Sequence, residues 1–139
     1  MNATTRACFG AAAALAAAFT LSGCAAQMRE AAADDAARRA RIEETRPTCD
    51  GEKDCFAKWE AAQLWVVKHA GMKLQTTTSV LIETYNSTGD LAMSVTKEPL
   101  GGGKYRIVAH ATCANVFACS QAPVDAILNF NHDIAAAIP

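Results

Sequence analysis

Apolar side chains follow four successive patterns along this chain, and each pattern predicts a different kind of segment. From Cys8 to Leu21 nearly every position is apolar, with Leu15, Phe19 and Leu21 set among alanines. From Ala25 to Arg46 the only larger apolar residues are Met28 and Ile42, in a background of Ala, Arg, Glu and Asp. Those residue types favour helix, but a helix without an apolar stripe has little to bury. The segment therefore reads as a solvated, partly formed helix, reaching ~30 Å at ~1.5 Å per residue. Opposite charges four apart, Asp34/Arg38 and Asp35/Arg39, add a few tenths of a kcal/mol each. There are no a/d apolar heptads to make it a coiled coil. Pro47 disfavours helix at Arg46 and marks a boundary.

Beyond Pro47 the spacing changes twice. Phe56, Trp59, Gln63, Val66 and Ala70 recur at three- and four-residue intervals, which predicts a helix over residues 54–70. Asp54 is its expected N-cap and Gly71 suits its C-terminal cap. Leu64, Trp65 and Val67 widen the apolar surface, as expected of a helix lying on a sheet. The β-branched run Lys73–Tyr85 predicts one long strand, with Leu74, Val80 and Ile82 on one face. After the turn Asn86–Asp90, Leu91, Met93 and Val95 alternate with Ala92, Ser94 and Thr96. Pro99–Gly103 closes a hairpin into a third strand, where Tyr105, Ile107, Ala109 and Ala111 face one way and Arg106, Val108 and His110 the other. Pro123 opens a last helix striped by Ile127, Phe130, Ile134 and Ile138. The predicted architecture is α+β: a helix, a three-stranded antiparallel meander and a C-terminal helix, with the sheet covered on one face.

The N-terminal apolar run has the three parts of an export signal. Arg6 supplies a positive charge, Cys8–Leu21 the apolar core, and Ser22-Gly23 the small residues before a cut. The core is shorter than the ~20 residues a helix needs to span a bilayer. Leu21-Ser22-Gly23-Cys24 resembles the lipobox of bacterial lipoproteins, which implies cleavage before Cys24 and acylation of its thiol. Lipoproteins of that kind carry diacylglyceryl plus an amide-linked acyl group, and several chains on one cysteine anchor stably. Ala25, where the inner-membrane retention signal of enteric bacteria has Asp, points to the outer membrane, with the domain in the periplasm. The expected organisation is a signal peptide (1–23), a lipidated cysteine and tether (24–47), and a small domain (48–139).

Cleavage changes the composition that matters. Removal of residues 1–23 from the 139 leaves 116, enough for one small domain and a tether. Loss of Arg6 leaves 12 basic against 14 acidic side chains, a formal charge of −2. No basic surplus draws nucleic acid, and no polybasic patch reinforces a lipid anchor.

Four cysteines remain once Cys24 is committed to lipid: Cys49, Cys55, Cys113 and Cys119, two C-x5-C pairs. An even number in an oxidising compartment reads as disulfides. Four cysteines allow three connectivities; the local pairs Cys49–Cys55 and Cys113–Cys119 close most easily, and a staple joining the first helix to the last strand is the rival. The spacing is wider than a zinc knuckle, and C-x-x-C redox chemistry is absent.

Other candidate chemistry is thin. Gly101-Gly102-Gly103-Lys104 lacks both the spacing and the strand-to-helix context of a phosphate loop. His69, His110 and His132 fall on three different elements, no serine sits in G-x-S-x-G, and no pair of carboxylates is spaced for acid–base work. No cofactor or metal is implied. The sheet face turned away from the helix, with Tyr85, Arg106, Val108 and His110, is the candidate contact face, because partly apolar exposed sheet marks contact surfaces.

The segments W-x5-W-V-x2-H-A-G-M-K-L-Q-T from Trp59, I-E-T-Y-N from Ile82, K-E-P-L-G-G-G-K-Y-R-I from Lys97, C-A-N-V-F-A-C from Cys113 and D-A-I-L-N-F-N from Asp125 carry a resemblance. Together they are similar to a group of small, uncharacterised lipoproteins of Gram-negative bacteria. The resemblance covers about Cys49 to Asn131; it implies the same domain boundaries and local cysteine pairing, and no activity. The expectation is a non-catalytic binding or structural accessory module, touching an envelope protein or the cell wall. The alternatives are a small-ligand binder or enzyme with a pocket near Trp59, Trp65 and His110, and a hydrolase inhibitor.

Overall fold

The computed structural model describes residues 26–115 and 117–138. The expected signal peptide, Cys24 and its lipid lie outside the described residues. The described residues fall into two units, 26–38 and 39–138. In the first, residues 26–38 are helical and exposed throughout, consistent with a segment that has almost no apolar stripe. This helical segment is α1; in the second unit residues 39–44 are also helical. No described helix is long and apolar enough to cross a membrane.

The second unit continues with β1 (Thr48–Asp50), α2 (Gly51–His69), β2 (Leu74–Thr77), β3 (Leu81–Thr84), β4 (Ala92–Gly101), β5 (Lys104–Thr112) and α3 (Pro123–Ala135). The strands form one antiparallel sheet in the order β1-β5-β4-β3-β2. The mixed helix-and-sheet class is as expected, but the sheet has five strands rather than three. One extra strand, β1, is three residues long, too short for any periodicity to reveal. It is placed by its pairing with β5, Cys49 opposite Tyr105, and by the Cys49–Cys55 disulfide to α2.

The other extra strand arises because Lys73–Tyr85 is a hairpin and not one strand. The Thr78 hydroxyl accepts the N–H groups of Val80 (3.2 Å) and Leu81 (2.9 Å), while Thr78 N–H donates to the Leu81 carbonyl at 2.7 Å. A side-chain oxygen thus makes the turn that glycine or proline makes elsewhere. Leu74 and Ile82 still reach the core, whereas Val80, at the turn, is exposed.

The core lies between one sheet face and the pair α2 and α3. Trp59, Ala62, Trp65 and Val66 of α2 and Ala126, Phe130 and Ile134 of α3 pack on Ile82, Leu91, Met93, Val95, Ile107 and Ala109. Each large apolar side chain so buried contributes roughly 1.5–3 kcal/mol. Trp65 meets the Phe130 ring edge-on at 5.4 Å and donates its indole N–H to Asp133 Oδ2 at 2.9 Å. Phe56, Leu64 and Val67, expected on the buried side of α2, are exposed, and so is Ile138 beyond α3.

Both ends of α2 also differ from expectation. The helix begins at Gly51 with Asp50 as N-cap, and Asp54, inside the helix, accepts the Asp50 N–H at 2.9 Å. That backbone bond, helped by Lys58, holds the Asp54 carboxyl below the usual aspartate range. At the far end Ala70 is the cap, in extended conformation. Gly71 does not have the positive φ of a glycine cap; it is small because Asp90 occupies the space where a Cβ would stand.

The compact unit reaches upstream of Pro47. Asn131, buried on α3, donates its amide to the Ile42 carbonyl (3.1 Å) and Thr45 Oγ1 (3.2 Å). Pro47 is itself buried, and its carbonyl accepts the Ile107 N–H.

Candidate binding cleft

Two disulfides stand where local pairing places them, Cys49–Cys55 and Cys113–Cys119, with Cα atoms 4.9 and 6.3 Å apart. The first joins β1 to the opening turn of α2 and forms part of the wall of a cleft of about 540 Å³. That volume is in the range of small-molecule sites.

The cleft is built by the strand alternation that builds the core. Leu91, Met93 and Val95 point toward the helices, and the same period carries Lys97 to that side. Lys97 pairs with Ile107 across the β4–β5 hairpin, and Tyr105 follows one step along the same face of β5. The hairpin closes tightly through Gly102 and Gly103, whose φ angles of 60° and 80° suit the paired positive φ of a type I′ turn. On the opposite wall α2 supplies Phe56, Trp59, Glu60 and Gln63. The β2–β3 turn brings Thr78 and Ser79 to the rim; it is tied to β4 by Lys97 N–H donating to the Val80 carbonyl at 3.0 Å.

Aromatic rings and one cation dominate this cleft. Trp59 is buried on its floor, with its indole N–H donated to the Thr78 carbonyl at 3.0 Å. The Lys97 ammonium lies 5.2 Å from the Trp59 ring centre and 5.4 Å from that of Tyr105. Both distances are in cation–π range. Phe56 stands exposed at the mouth. A larger groove of about 680 Å³ runs between Arg41, Thr45 and α3, but no Trp, Tyr or Phe lines it.

The sequence-predicted site residues do not gather here. Of Trp59, Trp65 and His110, only Trp59 lines the cleft. Trp65 is core, stacked on His69 at 4.4 Å, and His110 lies on the opposite sheet face. The four contact-face residues are spread along that opposite face. Val108 is 2% exposed and offers almost no surface, and Arg106 is half-buried and paired with Glu98 at 3.5 Å. His110 is exposed, and Tyr85 follows β3 beyond the point where Glu83 pairs with Ser94, itself opposite His110. Arg106 lies four residues the other way, roughly 13 Å along β5 from His110. Among the described residues no group of three His, Cys, Asp or Glu side chains is arranged to hold a metal ion.

Lys97 was the residue that sequence reasoning missed. Its signal was a charged side chain continuing the apolar parity of Leu91, Met93 and Val95. Compared with family models, curated proteins and solved structures, the chain matches none.

Proposed function

We propose that this chain is a non-catalytic, lipid-anchored binding module of the bacterial cell envelope, held on the outer membrane through Cys24, and that it binds through the cleft between α2 and the β4–β5 hairpin. The observation that carries the reading is the arrangement of Trp59, Tyr105 and Lys97 in a cleft of ligand size. No histidine lines that cleft, and both of the chain's described cysteine pairs are disulfides, which suits an oxidising compartment. The Leu21-Ser22-Gly23-Cys24 run and the resemblance to small Gram-negative lipoproteins support the address.

A second reading, contact with an envelope hydrolase through a loop, is favoured by one observation. Phe117 is 96% exposed within the loop closed by Cys113–Cys119. Ser87 Oγ accepts the Ala114 N–H and Asp90 accepts the Ser120 N–H, so both ends of the loop are pinned.

A photo-crosslinking residue placed in turn at positions 56, 85 and 117 in intact cells separates these readings. The cleft reading expects a discrete adduct from position 56, lost on Trp59→Ala. Adducts from position 117 alone would favour the loop, and adducts from position 85 alone the outer sheet face. Mass spectrometry of the mature protein tests the address: an acylated N-terminus at Cys24 is expected, and a mature N-terminus elsewhere, or an unacylated Cys24, would overturn it.

A further inference from the structure

The charge pattern in the cleft narrows what it can hold. A ring pair such as Trp59 and Tyr105 would ordinarily attract a cation, but that position is taken by the chain's own Lys97. A second ammonium arriving there meets like charge. Among the described residues Lys97 forms no ion pair with a carboxylate, and it is only partly exposed, with its ammonium over the aromatic rings. Glu52 and Glu60 also line the cleft, but both are exposed on α2. Water and salt screen exposed charges far more than half-buried ones. The net attraction on the floor is therefore for an anion, while Phe56 and Tyr105, exposed and half-buried, offer apolar surface to a flat body above the buried Trp59.

Resting on the reading of this cleft as the binding site, we infer that its ligand is a small organic carboxylate with a planar apolar body. The carboxylate pairs with Lys97, and the body lies against Phe56 and Tyr105.

The test uses the full chain in detergent micelles, with empty micelles as the blank, and a matched pair of probes: indole-3-acetate and its neutral amide, indole-3-acetamide. Binding is followed by NMR shifts of the Trp59 indole N–H and the Tyr105 ring and by calorimetry. The acid is expected to shift both signals and to bind at least about tenfold more tightly than the amide, the factor that ~1.4 kcal/mol represents. Lys97→Met, which keeps the stem and removes the charge, is expected to abolish that preference, and Lys97→Arg to keep it. Equal affinity of acid and amide at these signals would overturn the carboxylate inference while leaving the cleft a binding site. Absence of any shift from the acid would overturn it as well, and the crosslinking experiment decides the cleft independently. Should Lys97→Met fail to fold, the comparison of acid with amide on the unmodified chain is sufficient by itself.

Discussion

Asp90 shows how much one side chain organises. Its Oδ1 accepts the Leu91 N–H (2.7 Å), the Ser120 N–H (3.0 Å) and the Ser120 hydroxyl (3.2 Å), so it joins the turn before β4 to the segment after the second disulfide. The Ser120 backbone bond above all, then that of Leu91, holds the Asp90 carboxyl below the ordinary aspartate range. Asp54 is lowered too, and so is Asp133, chiefly by the His132 hydrogen bond and then by the Trp65 indole. A carboxyl whose folded pKa is depressed contributes stability above its unfolded value and loses it as pH falls through the folded one. Unfolding midpoints are therefore expected to hold steady down to about pH 4 and to fall steeply below it. Asp90→Ala should flatten part of that acid slope in a urea titration repeated at each pH; an unchanged slope would remove Asp90 from the account.

At the scale of elements the junction between α2 and β2 makes the firmest prediction. A Cβ on Gly71 would stand 2.0 Å from Asp90 Cγ and 2.1 Å from Oδ2, so alanine there must push Asp90 off its partners. Overpacking of this kind costs about 1–3 kcal/mol. The urea midpoint of Gly71→Ala should fall accordingly, while Gly89→Ala, with open space around its Cβ, should change little. The same glycine shows where sequence reading stops. Gly71 is legible as the end of α2, but its reason, a carboxylate nineteen residues away, is a tertiary fact. β4, β5 and α3 were legible because each is long enough to show its period. The β2–β3 turn was not, since Thr76-Thr77-Thr78-Ser79 has strand propensity throughout and only the Thr78 hydroxyl bends it. The exposure of Phe56, Leu64 and Val67 was hidden for a related reason: apolar and charged residues are distributed around the whole circumference of α2, so its periodicity does not say which side meets the sheet. Of the cleft, Trp59 and Tyr105 were visible as inward positions. Lys97 was visible only to a reader who let the alternation run past its last apolar residue.

For the whole molecule, the two disulfides close loops of equal sequence separation, six residues each. By loop entropy alone each contributes roughly 2–3 kcal/mol. They differ in access: Cys49 and Cys55 are buried, whereas Cys113 and Cys119 are partly exposed. Mild reductant is expected to open Cys113–Cys119 first, since exchange needs a thiolate to reach the sulfur. Alkylation followed by mass spectrometry reads the order, and opening of Cys49–Cys55 first would contradict the burial that places it against the cleft. The first reduction should leave Trp59 fluorescence and the cleft intact; the second should disturb both.

The strand order has one more consequence. Its two longest members, β4 and β5, lie inside, while the flanks are β1, with three residues, and β2, with four and a bulge between Leu74 and Thr76. A long open strand is a template on which other chains stack into aggregates, and short or irregular borders deny it. The small strands that the apolar pattern could not reveal thus act as guards on the sheet against fibril-like self-association.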